Sequence, residues 1–230
     1  KPKFWDYKKP NYLSYILLPF TLPIIINNFF LNIKKNNKSN QNIKTICVGN
    51  IYIGGTAKTP LSIKINKVLK NLNFKTATIK KFYKNQIDEQ KLLESKTKLY
   101  NFDTRQESLN EAIKNNVDVA VFDDGLQDKS MNYDLKFVCF NIIKWIGNGL
   151  LIPAGPLREK IISISKYDAI FLNGNEEDVN DLKIFIKNYN SNIKIFETYY
   201  MPMNINKFNI NDNYLIFSGI GNPDSFKKTL

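Results

Sequence analysis

The chain contains no histidine, so within these residues no imidazole can act as general base, proton relay or metal ligand. Its two cysteines, Cys47 and Cys139, fall inside apolar strand-like runs. They read as buried core thiols in a reducing compartment, not as a disulfide or a metal pair. Long apolar runs are also missing: the stretch from Ile16 to Ile26 is too short to span a bilayer comfortably, and Pro19 and Pro23 interrupt it. No zinc-finger spacing and no aromatic RNA-binding signature occurs, which sets nucleic acid aside as a partner. No internal repeat and no sign of an obligate protein partner is found. Acidic residues are the minority charge, 21 against 33 Lys plus Arg, for a formal +12 spread along the chain. That balance suits an anionic partner, either an acidic membrane surface or a phosphorylated substrate.

What is present fits one sizeable domain or one and a half: 230 residues with 43% hydrophobic content. The chain opens on Lys1 and stops at Leu230 just after a strand and a helix start, so it reads as a fragment at both ends. Residues 12–31 are apolar and aromatic, with Lys1, Lys3, Lys8 and Lys9 before them and Lys34, Lys35 and Lys38 after. Aromatic residues flanked by lysines suit a segment lying at the headgroup level of an anionic leaflet; a helix pair packed on the domain is the competing reading. Beyond a polar linker at 34–42 the pattern alternates. Strands are expected at 44–48, 75–79, 98–102, 117–122, 135–140, 169–172, 193–199 and 214–217, with helices near 88–96, 105–115, 158–166 and 176–189. Leu61, Ile65, Val68, Leu69 and Leu72 mark one face of a further helix. Such alternation predicts an α/β fold: a mostly parallel sheet covered by helices on both faces, with its ligand site beyond the carboxyl ends of the strands. Residues 1–42 form the apolar docking segment and linker in this division, 43–200 the nucleotide-binding domain, and 201–230 the start of a second lobe.

The segment from Val48 to Pro60 joins an apolar strand to a helix through Gly54-Gly55-Thr56-Ala57-Lys58-Thr59. This is the layout of a phosphate cradle, in which glycine amides approach an anion, Lys58 reaches the β/γ-phosphates and Thr59 holds Mg²⁺. The standard pattern has glycine at positions 52 and 57, where this chain has Tyr52 and Ala57. By spacing alone a glycine-rich turn with an incidental lysine stays open. Val119 to Gln127 reads as a strand ending in Asp123, Asp124 and Gly125. In a phosphate-loop protein such a strand tip orients Mg²⁺, although Asp-Asp-Gly also suits a plain turn. A third stretch, Gly147 to Glu159, is dense in Gly and Pro and ends in Arg158 and Glu159. There Arg158 suits a phosphate and Glu159 a sugar hydroxyl, or the pair caps a helix.

Together these strings resemble the tetraacyldisaccharide 4'-kinase family, the lipid A kinases of Gram-negative bacteria. The resemblance is carried by residues 48–60, by Asp-Asp-Gly-Leu-Gln at 123–127, by the Gly-Asn-Gly-Leu-Leu-Ile-Pro-Ala-Gly-Pro-Leu-Arg-Glu string at 147–159, and by Ser-Gly-Ile-Gly-Asn-Pro-Asp-Ser-Phe at 218–226. It covers nearly the whole chain, including a membrane-docking N-terminus. It implies a P-loop NTPase-like kinase that uses ATP and Mg²⁺ to phosphorylate the 4'-hydroxyl of an acylated glucosamine disaccharide 1-phosphate at the cytoplasmic face of the inner membrane. The family's base lies in a Gly-Asp-Glu string before a helix, which makes Asp88 the candidate base with Glu89 beside it. Asn148, Gln127, Arg158 and Glu159 are carried over as the substrate side. Departures are Ala57 for a family glycine, Lys80-Lys81-Phe82-Tyr83-Lys84 for Ser-Arg-Gly-Tyr-Gly, with Lys81 as the expected cation, and Asp128 for a histidine. These departures motivate one alternative, a catalytically weak relative. A P-loop GTPase or metal-delivery switch is another; it predicts a guanine-reading Asn/Thr-Lys-x-Asp string, and none is found.

Overall fold

The computed structural model describes residues 1–33, 43–128, 130–174, 178–201, 205–209, 211–215 and 217. Among these residues seven strands form one sheet: β1 Lys44–Gly49, β2 Thr76–Ile79, β3 Leu99–Tyr100, β4 Val119–Asp123, β5 Leu135–Asn141, β6 Ala169–Asn173 and β7 Lys194–Thr198. Their order is β3-β2-β4-β1-β5-β6-β7, and every pairing is parallel. Winding reverses beside β1, which has β4 on one side and β5 on the other. Val48 pairs with Asp123, so the phosphate-loop candidate and the double aspartate leave the sheet side by side. Open parallel sheets bind ligands in the crevice at such a reversal.

Helices cover both faces. On one, α3 (Lys58–Asn71) sets Leu61, Ile65 and Leu69 against Val48, Val121 and Cys139, with α4 (Ile87–Lys96) beside it. On the other, Leu109 and Ala112 of α5 (Arg105–Lys114) and Ile186 of α6 (Asn180–Lys187) join Ala77, Ile79, Phe122, Phe140 and Leu172 in the main core. The expected apolar face of α3 needs rotation. Val68 and Leu72 are exposed, while Thr59, Ser62 and Asn66 are buried. A polar stripe goes inside because it has buried partners. Ser62 Oγ donates to Asp123 Oδ1 at 3.0 Å, and Asn66 Nδ2 donates to Thr78 Oγ1 at 2.9 Å.

The N-terminal segment folds as a short 3-10 helix (Lys3–Asp6), α1 (Tyr12–Leu17), a 3-10 turn (Leu18–Thr21) and α2 (Leu22–Ile33). It is fastened to the 147–158 stretch. Trp5 Nε1 donates to the Pro153 carbonyl at 2.9 Å, the Asn148 amide N–H donates to Trp5 O at 3.1 Å, and Asn28 Nδ2 donates to Arg158 O at 3.3 Å. Ile25 packs on Tyr52, Leu151 and Leu157. No helix among the described residues is long and apolar enough to cross a membrane.

Two expected elements differ. The helix expected over 158–166 is only a 3-10 helix at Ile161–Lys166. Its first residues are held extended: Arg158 N–H donates to Ile51 O at 2.7 Å, Leu157 bridges to Tyr52, and Lys160 has φ −60° and ψ 146°. The strand expected over 214–217 is absent from the described residues 214, 215 and 217. The 218–226 string lies outside the described residues, as does much of the proposed second lobe.

Candidate functional site

The cradle grows directly from β1. Asn50, fully buried, donates through Nδ2 to Tyr52 O at 2.6 Å, Gly54 O at 3.2 Å and Thr56 Oγ1 at 3.0 Å, fixing the turn from inside. Gly54 has φ +141°, which favours glycine. A Cβ on Gly55 would meet no protein atom within 4 Å. Protein packing therefore does not require glycine there, and the backbone at 55 is open to approach from outside the protein. Ala57 stands immediately before α3 with φ +65° and ψ 25°, the left-handed conformation its side chain disfavours. The expected conflict between Ala57 and a glycine position is thus present in the backbone.

Across from α3, the wholly buried Asp123 carboxylate receives three donors. Thr59 Oγ1 lies at 3.1 Å and Lys80 Nζ at 2.8 Å from Oδ2, with Ser62 on Oδ1. Asp124 turns away with φ +59°. Its Oδ1 lies 3.1 Å from Arg158 Nη1 and 3.8 Å from Lys58 Nζ. Burial pushes its carboxyl upward, but Lys58, Arg158, Lys80 and Arg105 outweigh this and hold it below the usual carboxylate range. Residues 125–127 then join this pair to the third string. Gln127 Nε2 donates to Asn50 O at 3.0 Å and to Glu159 Oε1 at 2.9 Å, while its Oε1 accepts from Arg158 Nη1 at 3.1 Å. Tyr167 donates its hydroxyl proton to Glu159 Oε2 at 3.2 Å.

Lys58, Thr59, Asp123, Asp124, Gln127, Arg158 and Glu159 are therefore brought into one connected group. Asn148 is not part of it. Buried, it donates to Ser14 Oγ and to Ala154 O, both at 2.9 Å, and accepts from Leu150 N–H at 3.1 Å. Its polar atoms hold the N-terminal segment to the 147–155 loop. Asp88 sits in the first turn of α4, with its carboxylate exposed and unpaired among the described residues. Glu89 Oε2 accepts from Lys80 Nζ at 2.7 Å.

Two residues of this group were not picked out as site residues from sequence. Lys80, 2% exposed, spans Glu89 and Asp123, whereas Lys81, the expected cation, places Nζ 5.8 Å from the Tyr83 ring centroid. No local signal singles it out: Lys80 directly follows β2, and only the strand order places that end beside β4. Arg105, also buried, donates from Nη2 to Asp124 O at 2.5 Å and from Nη1 to Asp128 Oδ2 at 2.9 Å. Asp128, the departure from histidine, thus has a built partner. Burial raises its carboxyl, yet Ser130 and Arg105 bring it below the ordinary value.

Thr59 and the double aspartate offer the hydroxyl and carboxylate chemistry that a hard divalent cation takes. Among the described residues there is no cluster of three or more His, Cys, Asp or Glu side chains able to hold a metal alone. A divalent cation bound here would need further ligands, such as the phosphate oxygens of a substrate.

The model of the tetraacyldisaccharide-1-P 4'-kinase family (LpxK) matches residues 13–99 and 88–230. The chain belongs to that family. It is accordingly a kinase. Its sequence is 54% identical over 231 residues to a tetraacyldisaccharide 4'-kinase of Pelagibacter ubique, covering 100% of this chain and 73% of the relative. It is 30% identical over 250 residues to the enzyme of that name from Rickettsia canadensis, again covering 100% and 73%. Among solved structures, LpxK from Aquifex aeolicus in complex with ATP superposes with TM-score 0.58 at 19% identity, covering 82% of each chain. That likeness carries the fold: a parallel sheet flanked by helices with a phosphate-loop layout. Family membership sets aside the GTPase-switch alternative.

Proposed function

We propose that this chain transfers the γ-phosphoryl group of ATP to the 4'-hydroxyl of a tetraacylated glucosamine disaccharide 1-phosphate, with Mg²⁺, at the cytoplasmic face of the inner membrane. One observation carries the site assignment: Lys58 and Arg158 converge on Asp124 beside the Thr59–Asp123 hydrogen bond, at the ends of β1 and β4. Residues 54–59 hold the triphosphate through backbone amides, the Lys58 ammonium and the amino end of α3. Thr59 and the Asp123–Asp124 tip would hold Mg²⁺, which when bound would neutralise charge on the phosphates. Asp123 already accepts from Thr59, Ser62 and Lys80, which suits orienting Thr59, while the part-exposed Asp124 faces the ligand side.

The 4'-oxygen attacks the γ-phosphorus as the bond to the bridging β–γ oxygen breaks; ADP leaves and Asp88 accepts the hydroxyl proton. Arg158, released from Asp124 by ligand charge, binds a phosphate. Gln127 accepts from Arg158 from behind and is itself fixed by donating to Glu159.

The acylated substrate explains the N-terminal segment. Tyr12, Tyr15, Phe20, Leu22 and Ile26 are all exposed, with Tyr12 at 75%, while Trp5, Ser14 and Thr21 face inward. An aromatic and aliphatic outer face on a lysine-rich chain suits docking at the headgroup level of an anionic leaflet. The test is γ-phosphate transfer from labelled ATP to tetraacylated disaccharide 1-phosphate in detergent micelles, with Lys58→Ala and Asp88→Ala alongside. Transfer that falls by about 10²-fold or more in both variants supports the assignment. Intact transfer in Lys58→Ala removes the cradle from the mechanism. Flotation with phosphatidylglycerol vesicles, lost in a Phe20→Glu, Ile26→Glu variant, tests the membrane face.

A further inference from the structure

Among the described residues, Lys80 is the one buried cation that joins the nucleotide-side aspartate to the helix bearing the candidate base. Its ammonium is 2% exposed and lies 2.8 Å from Asp123 Oδ2 and 2.7 Å from Glu89 Oε2. Both carboxylates thus lie within hydrogen-bond reach of the same ammonium. The start of α4 has little else to fix it. Its N-cap, Gln86, makes no side-chain capping bond, and Asp88 has no partner among the described residues. What does restrain this turn comes from the 83–101 side: Gln90 Nε2 donates to Tyr83 O at 2.6 Å and accepts from Asn101, and Gln86 N–H donates to Tyr83 O at 3.1 Å. None of those bonds reaches β4. Among the described residues, then, Lys80 alone ties a side chain in the first turn of α4 to a β4 carboxylate that also receives the Thr59 hydroxyl.

We propose that Lys80 is a positioning residue, an ionic strut that sets the first turn of α4, and with it the Asp88 carboxylate, at a fixed reach from the phosphate-binding side of the site. The inference rests on the reading of Asp88 as base. An ammonium serves this purpose because it can satisfy two carboxylates at once, and removing its charge leaves Asp123 buried and short of one donor. The link breaks cleanly at its outer end, since Glu89 is half exposed and its loss leaves the Lys80–Asp123 pair in place.

The experiment compares Glu89→Gln, Lys80→Met, Lys80→Arg and the Lys80→Met/Glu89→Gln double variant of the full chain in two assays. In the transfer assay, Glu89→Gln is expected to lower kcat by roughly 10-fold to 10²-fold while KM for ATP moves less than about 2-fold, because a shifted base affects chemistry more than nucleotide binding. Lys80→Arg should recover part of the loss seen in Lys80→Met, and the double variant should be no slower than Lys80→Met, since both changes cut one link. In hydrogen exchange without substrate, amides 90–93, whose acceptors are the carbonyls of 86–89, should exchange faster, by about 10-fold, in both Glu89→Gln and Lys80→Met. Losses that multiply in the double variant, or unchanged exchange at 90–93, overturn the strut; unchanged exchange with lowered kcat would mark Glu89 as chemically active instead. If Lys80→Met does not fold, Glu89→Gln alone decides through the kcat–KM split and exchange. Absence of transfer by the unmodified chain counts against the reading of Asp88, and exchange then judges the strut by itself.

Discussion

Thr59 and Asp123 meet across 3.1 Å, hydroxyl to carboxylate, at the point where the first turn of α3 passes the tip of β4. That contact places the end of the phosphate cradle beside the acidic strand tip. It exists because α3 buries a polar stripe and because the Val48–Asp123 register brings the two strand ends level. Asp123 is therefore a structural anchor as well as a site residue, and its neighbour Asp124 is chiefly the latter.

The two aspartates should separate in mutagenesis. Asp123→Asn leaves the buried Lys80 ammonium without its buried counter-charge, which costs about 3–5 kcal/mol by analogy with broken buried pairs. At roughly 2–4 °C per kcal/mol for a chain of this size, the melting temperature should fall by about 10 °C. Asp124 is a quarter exposed and Arg158 keeps its bond to Gln127, so Asp124→Asn should shift stability by under about 1 kcal/mol while transfer falls sharply. Calorimetry beside the transfer assay checks both. Equal melting temperatures for the two variants would argue against the anchoring role of Asp123.

Ala57→Gly should make the protein more stable and faster. Left-handed backbone costs a non-glycine residue about 1–2 kcal/mol, and added chain entropy in the unfolded state returns about 0.4–1 of it. The net gain, on the order of 0.5–1 kcal/mol, raises the melting temperature by roughly 1–4 °C. Transfer rises with it if the alanine Cβ crowds the phosphate-binding turn. A lower melting temperature would show that the backbone at 57 does not carry this strain.

Much of this arrangement was legible in the sequence because its signals were local. Alternating apolar runs and helical stretches gave the parallel sheet, and Gly54-Gly55 with Lys58-Thr59 gave the cradle, since both depend on residues adjacent in the chain. Where neighbours in space decide, the reading fell short. Hydrophobic periodicity pointed α3 toward Val68 and Leu72, yet Ser62 and Asn66 go inside because Asp123 and Thr78 receive them. Lys81 was favoured over Lys80 because nothing local shows that position 80 leaves the sheet toward β4. Arg158 to Lys166 was read as helix, but an extended pairing with Ile51 and Tyr52 from a distant segment takes its first residues. Asn148 has the look of a loop residue beside a substrate; its actual partners, Ser14 and Ala154, include one from the far N-terminal segment.

Both cysteines should resist thiol reagents in the folded protein. Burial raises the Cys139 thiol to about 12 and pushes Cys47 higher still, and neither side chain is more than 1% exposed. With Ellman's reagent at pH 8, no thiol should react over minutes in buffer, and two should react in 6 M guanidinium (about two per chain). Rapid labelling of either thiol without denaturant would contradict the core packing of β1 or β5.

The pH dependence of stability should have an acid limb and no neutral one. Asp6, Asp124 and Asp128 are all held below the usual carboxylate value: burial raises each, but Lys1 and Tyr52 at Asp6, Lys58 and Arg158 at Asp124, and Ser130 and Arg105 at Asp128 outweigh it. A carboxylate depressed in the folded state adds stability that is fully present above its unfolded value, about 3.9, and is lost as pH falls through the lower folded value. The chain has no histidine to titrate between these carboxylates and the basic groups. The melting temperature should therefore stay nearly flat from pH 8 to about 4.5 and drop below it, and Asp128→Asn should shrink that drop by removing one of the three groups. A fall already under way between pH 7 and 5 would mean that another group, outside these three, carries the titration.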